Sequence, residues 1–149
     1  IYQARETSGK LILGLADGVC ASAAYWLASQ CDQVFATEAS VVGSIGVIAR
    51  IDSTDRAAKN AGVDSTVFRS SEMKGIGAGP MSPNQESAVR DMVAKLAEMF
   101  KAAVERGRPG IDLKSFDSGR EFIGPDAVKA GLVDQISTLP KILKQYGTI

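Results

Sequence analysis

The candidate nucleophile and the candidate base that this sequence offers are a serine opening a helix and a lysine in a glycine-rich loop. The serine is Ser22, in "DGVCASAAYWLASQC" (17–31), where small residues from Cys20 to Ala24 run up to Tyr25 and Trp26. A serine in the first turn of a helix just past a strand meets backbone N–H groups and the positive end of the helix dipole, which favour developing negative charge. A tetrahedral intermediate formed there finds the Ala23 N–H as one oxyanion donor. The competing reading is that Ser22 only caps its helix, and composition alone favours the cap. The lysine is Lys74, in "SSEMKGIGAGPMS" (70–82), between the apolar Met73 and Ile76 and with Glu72 as the nearby acid. Glycines let such a backbone pass close to another surface, yet a lysine in a loop of this kind is ordinarily just solvated. On the residues alone both alternatives stay open.

Absences narrow the chemistry further. The chain has no histidine, which removes a Ser-His-Asp triad, a Cys-His dyad and histidine-ligated metals together. A base at neutral pH must then be a perturbed carboxylate, a lysine or a terminal amine. A free lysine has a pKa of about 10.4 and a useful base needs about 7 to 8, a drop worth about 4 kcal/mol that burial supplies. Lys74 as a base therefore requires a covering surface, from its own core or from a neighbouring subunit. The two cysteines, Cys20 and Cys31, lack C-x-x-C spacing; they read as small core residues rather than a zinc site or a disulfide, in a reducing cytosol. Neither "GIGAG" nor "VGSIGV" has the strand-turn-helix setting of a dinucleotide fingerprint, so no cofactor and no metal are expected.

The elements that must position these residues alternate between strand and helix. The 149 residues are about the size of one domain, and seventeen basic residues balance seventeen acidic ones, so nothing points to nucleic acid or an anionic membrane surface. No apolar run could span a bilayer, and no signal peptide is visible. The opening "IYQARETSGK" lacks an initiator Met and reads as the tail of a helix already under way, so a single domain over 1–149 with its N-terminal part missing is expected. "LILGLAD" reads as a buried parallel strand, followed by a helix from about Ala21 to Gln30. "QVFATE", "SVVGSIGVIARI" (broken at Gly43 and Gly46) and "DSTVFRS" read as strands, and "DSTDRAAKNAG" as a capped helix. Ser82, Pro83 and Gln85 supply a cap, a first-turn proline and a capping-box partner for a long helix. Its apolar stripe, Val89, Met92, Val93, Leu96, Met99, Phe100, Ala103 and Val104, is core or subunit interface. "SGREFIGPDAVKAGLVDQIS" then gives strand, short helix and strand, with a last helix near Leu139 to Tyr146. Strands alternating with helices imply α/β with a mostly parallel sheet.

Three blocks resemble one family in its own order. "CASAAYWLASQCDQVFATEASVVGSIGVI" resembles the nucleophile segment of the Ser-Lys signal peptide peptidase A family, which includes bacteriophage capsid-assembly proteases. "SSEMKGIGAGPMSP" resembles that family's lysine loop, and "SGREFIGPDAVKAGLVDQIS" its closing segment. The resemblance implies a Clp-protease/crotonase-type fold of stacked β-β-α units and a serine endopeptidase. It makes Ser22 the nucleophile, Lys74 the general base, Ala23 an oxyanion donor and Ser44 a serine whose hydroxyl helps hold the lysine; otherwise Ser44 is a turn serine beside Gly43. The small residues around Ser22 would then clear a path for a peptide carbonyl. The family more often has Gly-Gly where Ala23 and Ala24 stand, and "AAYW" is closer to its phage-type members. Its second oxyanion donor comes from a Gly-rich strand end upstream of this sequence, and losing one such donor costs on the order of 10²–10³ in turnover.

The resemblance further implies a polypeptide substrate, from phage head processing or signal-peptide degradation, and a homo-oligomeric ring with sites near subunit contacts. A cytoplasmic location is expected, with membrane association only through an upstream anchor. Two rival readings stand beside it. "GLADGVCASAAYWLASQCDQVFATEASVVG" is also similar to the oxyanion segment of crotonase-type acyl-CoA enzymes, although Glu38 has no convincing glutamate partner. A catalytically inactive ring-forming scaffold is the other.

Overall fold

The computed structural model describes residues 1–113 and 119–147, and its strands follow from short apolar runs that satisfy each other's backbone groups. The apolar run before Asp17 forms β1 (Leu13–Ala16), and the chain returns as β2 (Val19–Ala21) before entering α2 (Ala23–Ala28). The next pair, β3 (Gln33–Ala36) and β4 (Val41–Gly43), repeats that arrangement. β1 pairs with β3 in parallel, Leu13 opposite Gln33, and β2 pairs with β4 in parallel, Val19 opposite Val41. Successive β-β units thus stack, each giving its first strand to one sheet and its second strand to another. The closing segment supplies β5 (Glu121–Ile123), α5 (Gly124–Lys129), β6 (Gln135–Ile136) and the last helix α6 (Leu139–Tyr146); its Ser118 lies outside the described residues. β6 extends the first sheet in parallel, order β1-β3-β6, and β5 joins the second antiparallel, order β2-β4-β5. This is the expected α/β architecture of stacked units with mostly parallel pairing.

The chain divides into two compact units, Ile1–Gly46 with Ala97–Ile149, and Val47–Leu96. The first holds both sheets and a core in which Tyr25, Val34, Val42, Phe100, Val104, Leu132 and Val133 are buried. It also holds α1 (Tyr2–Ser8), which ends on Gly9 at φ 62°. Cys20 and Cys31 are both buried and both free thiols, as small core residues should be, and burial pushes both pKa values up.

The second unit carries α3 (Asp55–Asn60), the glycine-rich loop and the first half of α4 (Pro83–Gly107). The start of α4 has the predicted capping box: the Gln85 N–H donates to Ser82 Oγ at 3.3 Å and Gln85 Oε1 accepts the Ser82 N–H at 3.1 Å.

Three expectations are corrected. The helix predicted from about Ala21 starts at Ala23, because Cys20 and Ala21 are still paired in β2 with Val42 and Gly43. Of "SVVGSIGVIARI" only Val41–Gly43 is strand. "DSTVFRS" forms no strand: these residues are exposed and have no ladder partner, and β-branched and aromatic residues make a strand only where a neighbour accepts their hydrogen bonds. Among the described residues, no helix is long and apolar enough to cross a membrane, and no group of three or more Cys, Asp or Glu is placed to hold a metal ion.

Candidate active site

Ser22 stands where a strand must become a helix within one residue. Its N–H donates to the Gly43 carbonyl at 2.8 Å and so extends the β2–β4 ladder. Its own carbonyl accepts the Trp26 N–H at 3.0 Å and so begins α2. Serving both elements drives Ser22 to φ 55°, ψ −126°, a region that costs a side-chain-bearing residue about 1–3 kcal/mol. The residue is the N-cap of α2, yet its side chain makes no capping bond. The cap reading is therefore half right: the position is the cap, but the hydroxyl does not cap. Ser22, Ala23 and Ala24 are all exposed, so the small-residue run leaves the hydroxyl uncovered at the strand end. As the first helical residue, Ala23 has an N–H with no intrahelical acceptor, which leaves it available to an oxyanion.

The neighbouring strand repeats the geometry. Ser44 follows the last residue of β4 as Ser22 follows the last residue of β2, and it too has positive φ, 53°. Its N–H donates to the Arg120 carbonyl at 2.8 Å, carrying the ladder one residue beyond β5. Gly43 before it has φ 119°, and a Cβ there would meet the Arg120 carbonyl oxygen at 2.7 Å, so only glycine fits. The two serines thus sit side by side at the ends of parallel strands, joined through the Ser22–Gly43 hydrogen bond.

The strand ends are held from behind. Buried Ser40 donates to the Ala16 carbonyl at 2.6 Å and accepts the Gly18 N–H at 3.3 Å, which locks the β1–β2 turn onto the β3–β4 turn. α2 is fixed along its length. Tyr25 is fully buried and its hydroxyl donates to the Leu132 carbonyl at 2.8 Å; burial pushes its pKa well above the usual phenol range. Trp26 stacks on Phe100 with ring centroids 4.7 Å apart. Buried Gln30 donates to the Ala103 carbonyl at 2.7 Å and accepts from Arg106 at 3.0 Å. The aromatics after the small residues are therefore the anchor, not an obstruction. A further support went unread in the sequence. Asp134 accepts two bonds from Arg108, at 2.8 and 2.9 Å, and one from the Val34 N–H at 2.7 Å. Burial raises its pKa, but the Arg108 and Val34 donors outweigh this and hold the carboxyl below its ordinary range.

Lys74 belongs to the second unit. It lies in a run of turns, its N–H donating to the Ser71 carbonyl at 3.1 Å, and it is exposed. The loop is nevertheless tied down: Glu72 accepts from Ser82 Oγ at 2.5 Å and from Asn84 Nδ2 at 3.3 Å, and its carbonyl accepts from Gln85 Nε2. Sequence reasoning missed this role of Glu72; the only signal for it was the capping box at Ser82 and Gln85.

The sequence model of peptidase family S49 matches residues 4–147. The probable protease SohB of Haemophilus influenzae is 33% identical over 125 residues, covering 82% of this chain and 35% of that protein. The putative signal peptide peptidase SppA of Enterococcus faecium is 31% identical over 121 residues, covering 78% of this chain and 35% of that protein. The chain thus spans about a third of the length of either relative. A solved enoyl-CoA hydratase/isomerase family member is similar at a TM-score of 0.43 and 19% identity, over 97% of this chain and 40% of that one.

Proposed function

Because the chain belongs to peptidase family S49, we propose that it is the part of a serine endopeptidase that carries a Ser-Lys dyad. Ser22 Oγ attacks the scissile carbonyl while the neutral Lys74 amine takes its proton. The Ala23 N–H receives the oxyanion, and the Ser44 hydroxyl holds the lysine. Lys74 then passes the proton to the leaving amine, and water, activated by the same amine, hydrolyses the acyl-enzyme. The observation that carries this reading is Ser22 itself. A serine strained at the junction of strand and helix, exposed and not spending its hydroxyl on a cap, has the features of an activated nucleophile's turn. The substrate is polypeptide, and the relative described as a signal peptide peptidase points to signal-peptide remnants. Since Lys74 is exposed here, a second copy of the chain covers it in a ring, and there the amine loses water and charge.

The test is covalent labelling. A serine-reactive fluorophosphonate added to the full-length protein should add its mass at Ser22 and nowhere in Ser22→Ala. Labelling at another serine, or equal labelling of the variant, rejects the assignment. An acyl-CoA titration run alongside should show no binding; saturable binding without labelling would favour the acyl-CoA reading.

A further inference from the structure

The loop that carries Lys74 has little of its own to hold it. Gly75, Gly77 and Gly79 all adopt positive φ, at 77°, 85° and 154°, and such backbones are loose unless something outside restrains them. The restraint is concentrated two residues before the lysine. Glu72 is gripped through its carboxylate by Ser82 and Asn84 and through its backbone carbonyl by Gln85. Gln85 is 2% exposed and stands in the first turn of a 25-residue helix, so the grip ends on a rigid element. These bonds exceed what capping needs. The box is complete with Ser82 Oγ accepting the Gln85 N–H and Gln85 Oε1 accepting the Ser82 N–H. The Ser82 O–H and the Gln85 amide N–H are then spent on Glu72.

The geometry points to Glu72 as a positioning residue for the proposed base: with Ser82, Asn84 and Gln85 it forms a clasp that fixes the Lys74 backbone relative to α4. This rests on the reading of Lys74 as the base. Two residues of chain reach at most about 7 Å, so pinning Glu72 confines the Lys74 Cα to a small region, and a base must sit within about 3 Å of the proton it takes. The donors from Ser82 first and Asn84 next hold the Glu72 carboxyl below the ordinary carboxylate range, so the clasp stays charged wherever a lysine base could work.

Gln85→Glu is the sharpest probe, because it keeps the acceptor that the capping box uses and removes the amide donor to the Glu72 carbonyl. The full-length protein is assayed with a fluorescein-labelled denatured polypeptide, and amide hydrogen exchange is followed over residues 70–81. Glu72→Ala and Gln85→Glu should each lower kcat by about 10²-fold, the cost of a misplaced catalytic group, with KM changed less than about threefold. Both should speed exchange in the loop and leave α4 protected. Glu72→Gln, which still offers an oxygen to Ser82, should recover most of kcat. Wild-type kcat in Glu72→Ala and Gln85→Glu beside an inactive Lys74→Met overturns the clasp and leaves the dyad standing. An active Lys74→Met overturns the dyad instead. Unchanged loop exchange in both clasp variants overturns the clasp whatever the kinetics give.

Discussion

In the first unit Tyr25, Phe100 and Leu132 are buried in one core with Cys20 and Val42, from the strands that lead into Ser22 and Ser44. In the second, Ile48 and Phe68 are each 92% exposed, and Val63, Val67, Met73 and Met92 are exposed with them. The apolar stripe of α4 divides in the same way at its two ends: Phe100, Ala103 and Val104 are buried, while Met92 and Leu96 are not. The proposed nucleophile and the proposed base are therefore in different physical situations. The serine's conformation is over-determined by ladders and packing within the chain. The loop of Lys74 is clasped at Glu72, but Met73 beside it still faces water, where an exposed large side chain forgoes about 1.5–3 kcal/mol of burial.

The largest expected effect separates chemistry from fold. Ser22→Ala should lower kcat/KM by about 10⁴-fold or more, the usual cost of losing a covalent nucleophile, with the melting transition almost unmoved because an exposed hydroxyl without a hydrogen bond is lost. Ser22→Gly should be equally inactive yet more stable by about 1 kcal/mol, since glycine relieves the positive φ. Equal stability of Ser22→Gly and wild type would show that the strain is not stored there.

Lys74 should be as sensitive in activity but should depend on concentration. Lys74→Met and Lys74→Arg should both lose cleavage by about 10³-fold or more, the arginine because a guanidinium is not deprotonated in this range. In wild type, kcat/KM should rise with pH as the base gives up its proton and then level off. Specific activity should also fall on dilution as copies separate, and Phe68→Ser should make it fall at higher protein concentration. Light scattering checks the same point: a monomer that stays fully active at every concentration refutes cover by a second copy.

Gly43→Ala should act on fold and activity together. Its Cβ meets the Arg120 carbonyl at 2.7 Å at a φ of 119°, so a loss of roughly 2–4 kcal/mol in urea unfolding follows. Ser22 hangs on the Gly43 carbonyl, so the surviving folded fraction should also cleave more slowly.

This contrast also decides what could be read from the residues. The long helix and its capping box were legible because local chemistry fixes them: Ser82, Pro83 and Gln85 meet the needs of a first turn whatever lies around. The closing strand-helix-strand was legible for the same reason. β2 was not, since three residues, Val19 to Ala21, carry no period, and only the ladder to β4 makes them a strand. "DSTVFRS" misled in the opposite direction, because its Thr66, Val67 and Phe68 have no strand to pair with. The place of Ser22 at the entry to a helix was legible to within one residue from the small-residue run. Its strained φ was not, as it arises from a ladder bond to Gly43, twenty-one positions away. The clasp on Glu72 joins loop to helix across ten residues, and spacing alone does not reveal it.

The smallest effect compares one carboxylate from each unit. Asp134 and Glu72 both titrate below their ordinary ranges, but Asp134 ties Arg108 to the Val34 N–H within the core unit, while Glu72 lies on an exposed loop. With a folded pKa below the unfolded value of about 3.9, Asp134 binds fewer protons folded than unfolded across that interval. Its contribution to stability is therefore complete above the unfolded pKa and is lost as pH falls through the folded one. Because its side chain is 38% exposed, solvent screening limits the contribution to about 1 kcal/mol. Urea midpoints at pH 7, 5, 4 and 3 should show wild type losing stability most steeply below about pH 4. Asp134→Asn should start lower at pH 7, because it loses the charged pair with Arg108, and should decline less over the same interval. Glu72→Gln should follow the wild-type curve closely, since protonating an exposed loop carboxylate frees the loop without opening the core. If Glu72→Gln flattened the acid limb as much as Asp134→Asn, the two units would share one cooperative transition in which the loop's clasp counts as much as the buried ladder. The division between a self-sufficient serine platform and a dependent lysine loop would then fail.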